Sequence, residues 1–181
     1  MIALPRDRAL EPIVCRVARS FGELEAYHGL RRAIFCEEQK VFESDDRDPW
    51  DSLAVPIVAV RIDAQQDETV VGVVRIYEEC PGVWYGGRLG VDACYRHVGH
   101  VGRSLIVKAV TTAHAWGCRE FLAVVQAQNV PLFRRLRWRV VEELEAHGRP
   151  HCRMVADLAH YPPSTDADVA LRPRDSCHDA A

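Results

Sequence analysis

Apolar and polar residues along this chain recur with two periods, about 3.6 and 2, and the switches between them mark out a mixed set of elements. The run "IVCRVA" near the start alternates as a strand does. Ser20, followed three residues on by Glu23, predicts a capping box for a helix reaching about Cys36, with Leu24, Tyr27, Leu30, Ile34 and Phe35 on its buried stripe. The segment "CEEQKVFESDDRDPWDS" then breaks the pattern with acids and a proline. After it, "AVPIVAVRI" and "VVGVVRIYE" predict two strands of a hairpin joined by the polar "DAQQDET", and "VWYGGRLGVD" a fourth strand.

Residues 99–116 return to the helical period, burying Leu105, Ile106, Ala109, Val110 and Ala113, with Gly117 as the stop. The strand "FLAVVQA" follows at once. Asn129 is placed to cap a short helix that tolerates Pro131 in its first turn, and Trp138 begins "WRVVEELEA", which turns through "HGRP" into "HCRMVADL". Strand, helix and strand around residues 83–126 form a crossover unit, whereas the early and late hairpins are antiparallel. A mixed α/β sheet with helices on its faces is the expectation. One folded domain is expected over residues 1–163. The stretch 164–181 is small, polar and charged, the composition of a disordered tail.

Composition narrows the function classes. With 48% hydrophobic residues, 181 residues can bury a real core. The 23 basic and 26 acidic side chains leave a net charge of -3, without the electrostatic footprint that a nucleic-acid backbone or an anionic membrane calls for. Seven cysteines, odd in number and scattered, suit a reducing cytoplasm. Neither an export signal nor a membrane-spanning run is read in the chain.

Candidate chemistry gathers in "GVDACYRHVGHVGRSLI". A loop rich in glycine that delivers the chain into a helix N-terminus presents unpaired N–H groups and partial positive charge, a seat for an anion such as a pyrophosphate. Gly99 and Gly102 suit that role, and Arg96 or Arg103 would add to it. Two other readings stand beside it: the glycines simply permit tight packing, or His97 and His100 bind a metal. The histidines have no nearby Cys or carboxylate at ligand spacing, which favours polar loop residues.

The run "RLGVDACYRHVGHVGRSLI" resembles the acyl-CoA pyrophosphate loop of the GNAT superfamily of N-acyltransferases, whose signature is Arg or Gln, two residues, Gly, one residue, then Gly or Ala. Arg96 and Gly99 fit, while position 101 is Val and the second glycine arrives at 102. "LRRAIFCEEQKVFESDDRD" is similar to the first-helix region of a small bacterial branch of that superfamily carrying a Glu-Gln pair, here Glu38 and Gln39. "VQAQNVPLFRRLRWRVVEELEAHGRPHCRM" resembles its closing half, through Ala127, Gln128, Gly148, Pro150, His151 and Met154. The whole also resembles a subgroup described as nitrogen-starvation N-acetyltransferases.

The resemblance implies the GNAT fold, a mostly antiparallel mixed sheet splayed between its fourth and fifth strands. It also implies acetyl-CoA as cosubstrate and no metal. Pantetheine would pair along Leu89, Gly90 and Val91, the pyrophosphate would sit on Arg96, His97, Val98, Gly99, His100, Val101, Gly102, Arg103 and Ser104, and Asn129 and Phe133 would line the site. Glu38, Gln39 and His151 fall to the acceptor side. The family's tyrosine general acid is Phe133 here, so Tyr85 or water is left to substitute, and Glu78 and Glu79 at the end of the third strand are the carboxylates placed to act as base. Each also reads as a solvated strand end. The acidic run Glu43, Asp45, Asp46, Asp48 and Asp51 lacks EF-hand spacing and reads as a solvated face, or else as recognition of a cationic amine. Cys94 reads as filler rather than a nucleophile.

The expected function is transfer of acetyl from acetyl-CoA to the primary amine of a small molecule by direct attack, in a cytoplasmic monomer or homodimer. Two rivals remain: a non-catalytic acyl-CoA sensor, and an acyltransferase of the autoinducer-synthase kind that takes longer acyl chains.

Overall fold

The computed structural model describes residues 11–97 and 100–165. Val98, Gly99 and the stretch from residue 166 lie outside the described residues, and with them most of the expected tail and part of the expected loop. Seven strands form one sheet: β1 Ile13–Val17, β2 Val55–Ile62, β3 Glu68–Cys80, β4 Val83–Val91, β5 Glu120–Gln126, β6 Trp138–Ala146 and β7 Arg149–Ala156, in the spatial order β1-β2-β3-β4-β5-β7-β6. Every neighbouring pair is antiparallel except β4 and β5, joined by the expected crossover. The helices are α1 Phe21–Arg32, α2 Val101–Ala115 and α3 Val130–Arg135.

α2 lies on one face of the sheet. A Cβ on Gly72 would come within 2.9 Å of Leu105 Cδ1 and 3.1 Å of Val101 Cγ1, so glycine there lets the helix approach β3 closely. Leu105, Ile106, Ala109, Val110 and Ala113 are buried as the 3.6 period required, together with Trp84, Trp116, Phe121 and Met154. Gly117 ends the helix at φ +94°, a conformation that favours glycine. α1 covers the opposite face, where Tyr27 packs with Val58, Val60 and Val73. Among the described residues no helix is long and apolar enough to cross a membrane.

α1 departs from expectation in three ways. Ser20 accepts from the Glu23 N–H as a cap should, but the Glu23 carboxylate reaches back to the Arg19 N–H and to Arg16 instead of closing a box on Ser20. Leu24, expected in the buried stripe, is 36% exposed, whereas Arg31 is wholly buried. From Ala33 to Glu38 the helix widens into a π turn, with the Gln39 N–H bonded to the Ile34 carbonyl. Asn129 makes no side-chain cap because it already has helical backbone (φ -94°, ψ -10°), at the end of the 3-10 turn Ala127–Asn129 that feeds α3. The late hairpin turns through His147 (φ 52°) and Gly148 (φ 67°), positive at both central positions as a type I′ turn demands.

Candidate active site

The site begins where β4 and β5 separate. Their parallel pairing runs from Val83↔Glu120 to Gly86↔Ala123 and stops, while β5 stays paired with β7 as far as Gln126↔His151. Beyond Gly86 the two strands expose backbone donors and acceptors to the gap between them. β4 is also bulged: Val73 pairs with Gly90 and Arg75 with Gly87, so Arg88 and Leu89 together oppose Val74. Arg88 sits at φ 54°, a conformation costing an ordinary residue about 1–2 kcal/mol.

The gap opens into a cavity of about 210 Å³ that reaches both faces of the sheet. On the α2 side its wall is apolar, built by Ile106, Ala109, Phe121, Phe133 and Trp138. The rings there meet edge to face, with Phe133 and Phe121 at 5.0 and 5.8 Å from Trp138. On the α1 side the wall is polar: Gln39, Arg88, Gln126, His147 and His151, with Phe42 between Arg88 and His147. The Arg88 guanidinium lies 4.5 Å from the Phe42 ring centre, and the His147 ring stands edge-on at 4.8 Å.

What holds Arg88 in that backbone conformation is a buried ionic cluster. Arg31 binds Asp46 Oδ2 at 2.7 Å and Asp51 Oδ1 at 2.5 Å; Arg75 binds Asp48 Oδ1 and Asp51 Oδ2, each at 2.7 Å; Arg88 donates to Asp46 O at 2.7 Å and to Asp48 Oδ2 at 3.2 Å. Burial alone would raise the Asp51 carboxyl, but hydrogen bonds from Arg31 and the Asp48 N–H, with the charges of Arg31 and Arg75, hold it well below the usual carboxylate range. Three guanidiniums thus balance three carboxylates, and the cluster ties the loop after α1 to β3 and β4. The acidic run is therefore divided, a correction to its reading as one solvated face. Asp46 is 2% exposed and Asp48 and Asp51 are in the cluster, whereas Glu43 and Asp45 are exposed.

The candidate residues fall into groups. Leu89, Asn129, Phe133, Gln39 and His151 line the cavity. Gly90 lies beneath the π turn, where a Cβ would come within 2.8 Å of Ile34 Cδ1, and Val91 follows it at the strand end. After β4, Asp92 caps a 3-10 turn, and Arg96 donates to the Val91 carbonyl and makes a two-pronged pair with Glu38 at 2.6 Å. Those hydrogen bonds from Arg96 hold Glu38 below its ordinary value. Glu38 is thereby joined to the loop rather than to the cavity wall. His97 is exposed ahead of the gap in the description, and His100 precedes α2, whose first intrahelical bond is donated by the Ser104 N–H to the His100 carbonyl. The N–H groups of Val101, Gly102 and Arg103 therefore lie ahead of the helical ladder. Val98 and Gly99 are outside the described residues.

The three residues named for acid and base work lie off the cavity wall. The Glu78 carboxylate accepts the Gly82 N–H at 2.7 Å in the β3–β4 turn, and Glu79 is exposed. Tyr85 is stacked on Tyr77 at 5.8 Å, and Tyr77 on Trp50 at 4.6 Å, along the outer part of the α1 face. Sequence reasoning missed the buried role of Arg31, Arg75 and Arg88 and the Phe42–His147 contact. The only signal was arginine at positions the strand and helix periods assign to the interior.

Comparison with known proteins gives the arrangement its family. The family model for the acetyltransferase (GNAT) family matches residues 24–137. Among solved structures, a Lactobacillus plantarum protein provisionally assigned as an N-acetyltransferase superposes with a TM-score of 0.69 at 20% identity, covering 80% of this chain and 97% of that one. ElaA of Escherichia coli gives 0.67 at 23%, covering 82% and 100%. A CoA-dependent acyl-homoserine lactone synthase, BjaI, solved with SAM and isopentyl-CoA, gives 0.60 at 18%, covering 80% and 82%. At these identities the superpositions speak to the fold alone. A search of curated protein sequences finds no match. With the family model spanning more than half of its length and the splayed sheet in place, the chain belongs to the acetyltransferase (GNAT) family, whose chemistry is acyl transfer from coenzyme A.

Proposed function

We propose that the protein moves an acetyl group from acetyl-CoA to the primary amine of a small molecule by direct attack. The observation that carries this reading is the cavity through the sheet at the β4–β5 gap, apolar toward α2 and α3 and polar toward α1, so that thioester and amine would meet from opposite faces. Leu89, Gly90 and Val91 would pair with pantetheine, with a backbone N–H of the bulge aimed at the developing oxyanion. The loop from Arg96 to Ser104 would seat the diphosphate. Asn129 and Phe133 would flank the thiol end, and Gln39, with Glu38 steadying the loop through Arg96, would face the acceptor. Phe133 cannot donate a proton, but a thiol with a pKa of about 8.5 leaves tolerably as the thiolate. The test is free-thiol release from acetyl-CoA across a panel of amines, with acetyl-CoA binding followed by calorimetry. Binding without release from any amine would turn the protein into a sensor.

One observation favours a second reading. The α2-side wall is built from Ile106, Ala109, Phe121, Phe133 and Trp138, and its depth suits an acyl chain longer than acetyl. The isopentyl-CoA held by BjaI is a ligand of that kind on a similar fold. Turnover that rises from acetyl- to butyryl- or hexanoyl-CoA would decide for it.

A further inference from the structure

We propose that His151 is the general base that takes the proton from the attacking amine; the proposal rests on the acyl-transfer reading above. Direct attack needs a neutral amine and a group able to accept the proton it sheds. Among the described residues no Asp or Glu lines the cavity, and its polar wall offers Gln39, Arg88, Gln126, Asn129, His147 and His151. Amides do not take up protons near neutrality, and Arg88 is already charged and occupied by Asp46 and Asp48. Two imidazoles remain. His147 stands exposed at the hairpin tip with its ring edge-on to Phe42, whereas His151 is 8% exposed, on β7 beside Gln126 at the end of the gap.

The hydrogen bonding of His151 sets its tautomer. Its Nδ1 lies 2.8 Å from the carbonyl oxygen of Arg149, which can only accept, so Nδ1–H is the donor and Nε2 carries the lone pair of the neutral ring. The hairpin is itself anchored across the cavity mouth, since Arg149 Nη2 donates to the Gln39 carbonyl at 3.1 Å. The ring is therefore buried, oriented and in its basic form on the acceptor side of the gap.

In the step assigned to it, the amine nitrogen forms a bond to the thioester carbonyl carbon and the carbon–sulfur bond breaks. The ammonium proton passes to His151 Nε2, and the thiolate of CoA takes a proton from the imidazolium or from water, which leaves amide, free thiol and neutral imidazole.

The test compares wild type with His151→Ala and with His151→Asn, whose side-chain amide can still donate toward Arg149. The readouts are thiol release, KM for acetyl-CoA and thermal melting. Both variants are expected to melt as wild type and keep KM for acetyl-CoA within about twofold, while kcat falls by about 10²–10⁴. Added imidazole is expected to restore turnover in His151→Ala. A fall in kcat of less than about threefold, a loss confined to KM, or no recovery with imidazole would overturn the assignment. Absence of thiol release by the wild-type protein with every amine would instead overturn the acyl-transfer reading, and the base with it.

Discussion

Replacing Arg31 by Met tests the ionic cluster on which the cavity wall stands. The arginine side chain is wholly buried and donates to Asp46 Oδ2 at 2.7 Å, Asp46 O at 3.3 Å, Asp51 Oδ1 and Oδ2 at 2.5 and 3.1 Å, and Tyr27 Oη at 3.0 Å. Methionine fills similar volume and supplies none of these bonds. Asp46 keeps Arg88 and Asp51 keeps Arg75, so the cluster passes from balanced to one negative charge in excess. Removing one partner of a buried pair costs about 3–5 kcal/mol, and the two remaining arginines place the expected loss at the lower end, about 3 kcal/mol. For a domain of this size that lowers the melting temperature by about 6–12 °C. Urea unfolding of Arg31→Met beside Arg153→Met measures it. Arg153 pairs with Glu142 at the surface, where both side chains are more than a third exposed, and its loss should cost under about 1 kcal/mol. Equal, small losses in the two variants would refute the argument that burial gives the cluster its weight.

The same cluster predicts acid lability. Because Asp51 and Asp48 titrate lower folded than unfolded, their contribution is whole above the unfolded value and disappears as the pH falls through about 4, which urea midpoints at pH 7, 5 and 3.5 would follow. Gly102→Ala should leave acetyl-CoA binding intact, since a Cβ there meets only Val91 Cγ2 at 3.7 Å, whereas Gly102→Glu should weaken it strongly by placing a carboxylate beside the helix-start amides; equal affinity of the two by calorimetry would contradict the diphosphate seat. Gly86→Ala puts a methyl 3.0 Å from Phe121 Cε1 and should press that ring toward the cavity, lowering turnover of longer acyl-CoAs more than that of acetyl-CoA, as thiol release would show. Phe133→Tyr should fold as wild type and raise turnover if the hydroxyl reaches the leaving thiolate; a fall would mean that the pocket is matched to the bare ring.

How far the sequence could be read depended on the range of the interactions concerned. The α2 stripe, the Gly117 stop and the His147–Gly148 turn are set by neighbours a few residues away, and each stands where periodicity and turn chemistry put it. Arg31 interrupts an apolar stripe for the sake of Asp46 and Asp51, 15 and 20 residues on, and Arg75 and Arg88 come from two further strands. Acids whose partners are that distant look like solvated ones. The base shows the same limit: Glu78 and Glu79 were placed by strand position, yet Glu78 turns into its own hairpin, and the cavity wall is completed by a histidine from β7. His151 itself was legible only through the motif around it.

The π turn from Ala33 to Glu38 makes this corner sensitive to chain length in a way the rest of α1 is not. A wide turn accommodates one residue more than a regular helical path, so losing a single codon there would leave a continuous helix while rotating everything downstream by about 100°. Glu38 would swing off Arg96 and Gln39 off the cavity rim, with the hydrophobic interior hardly disturbed. Among relatives, a one-residue gap at this point would therefore mark a change of acceptor more surely than many substitutions elsewhere.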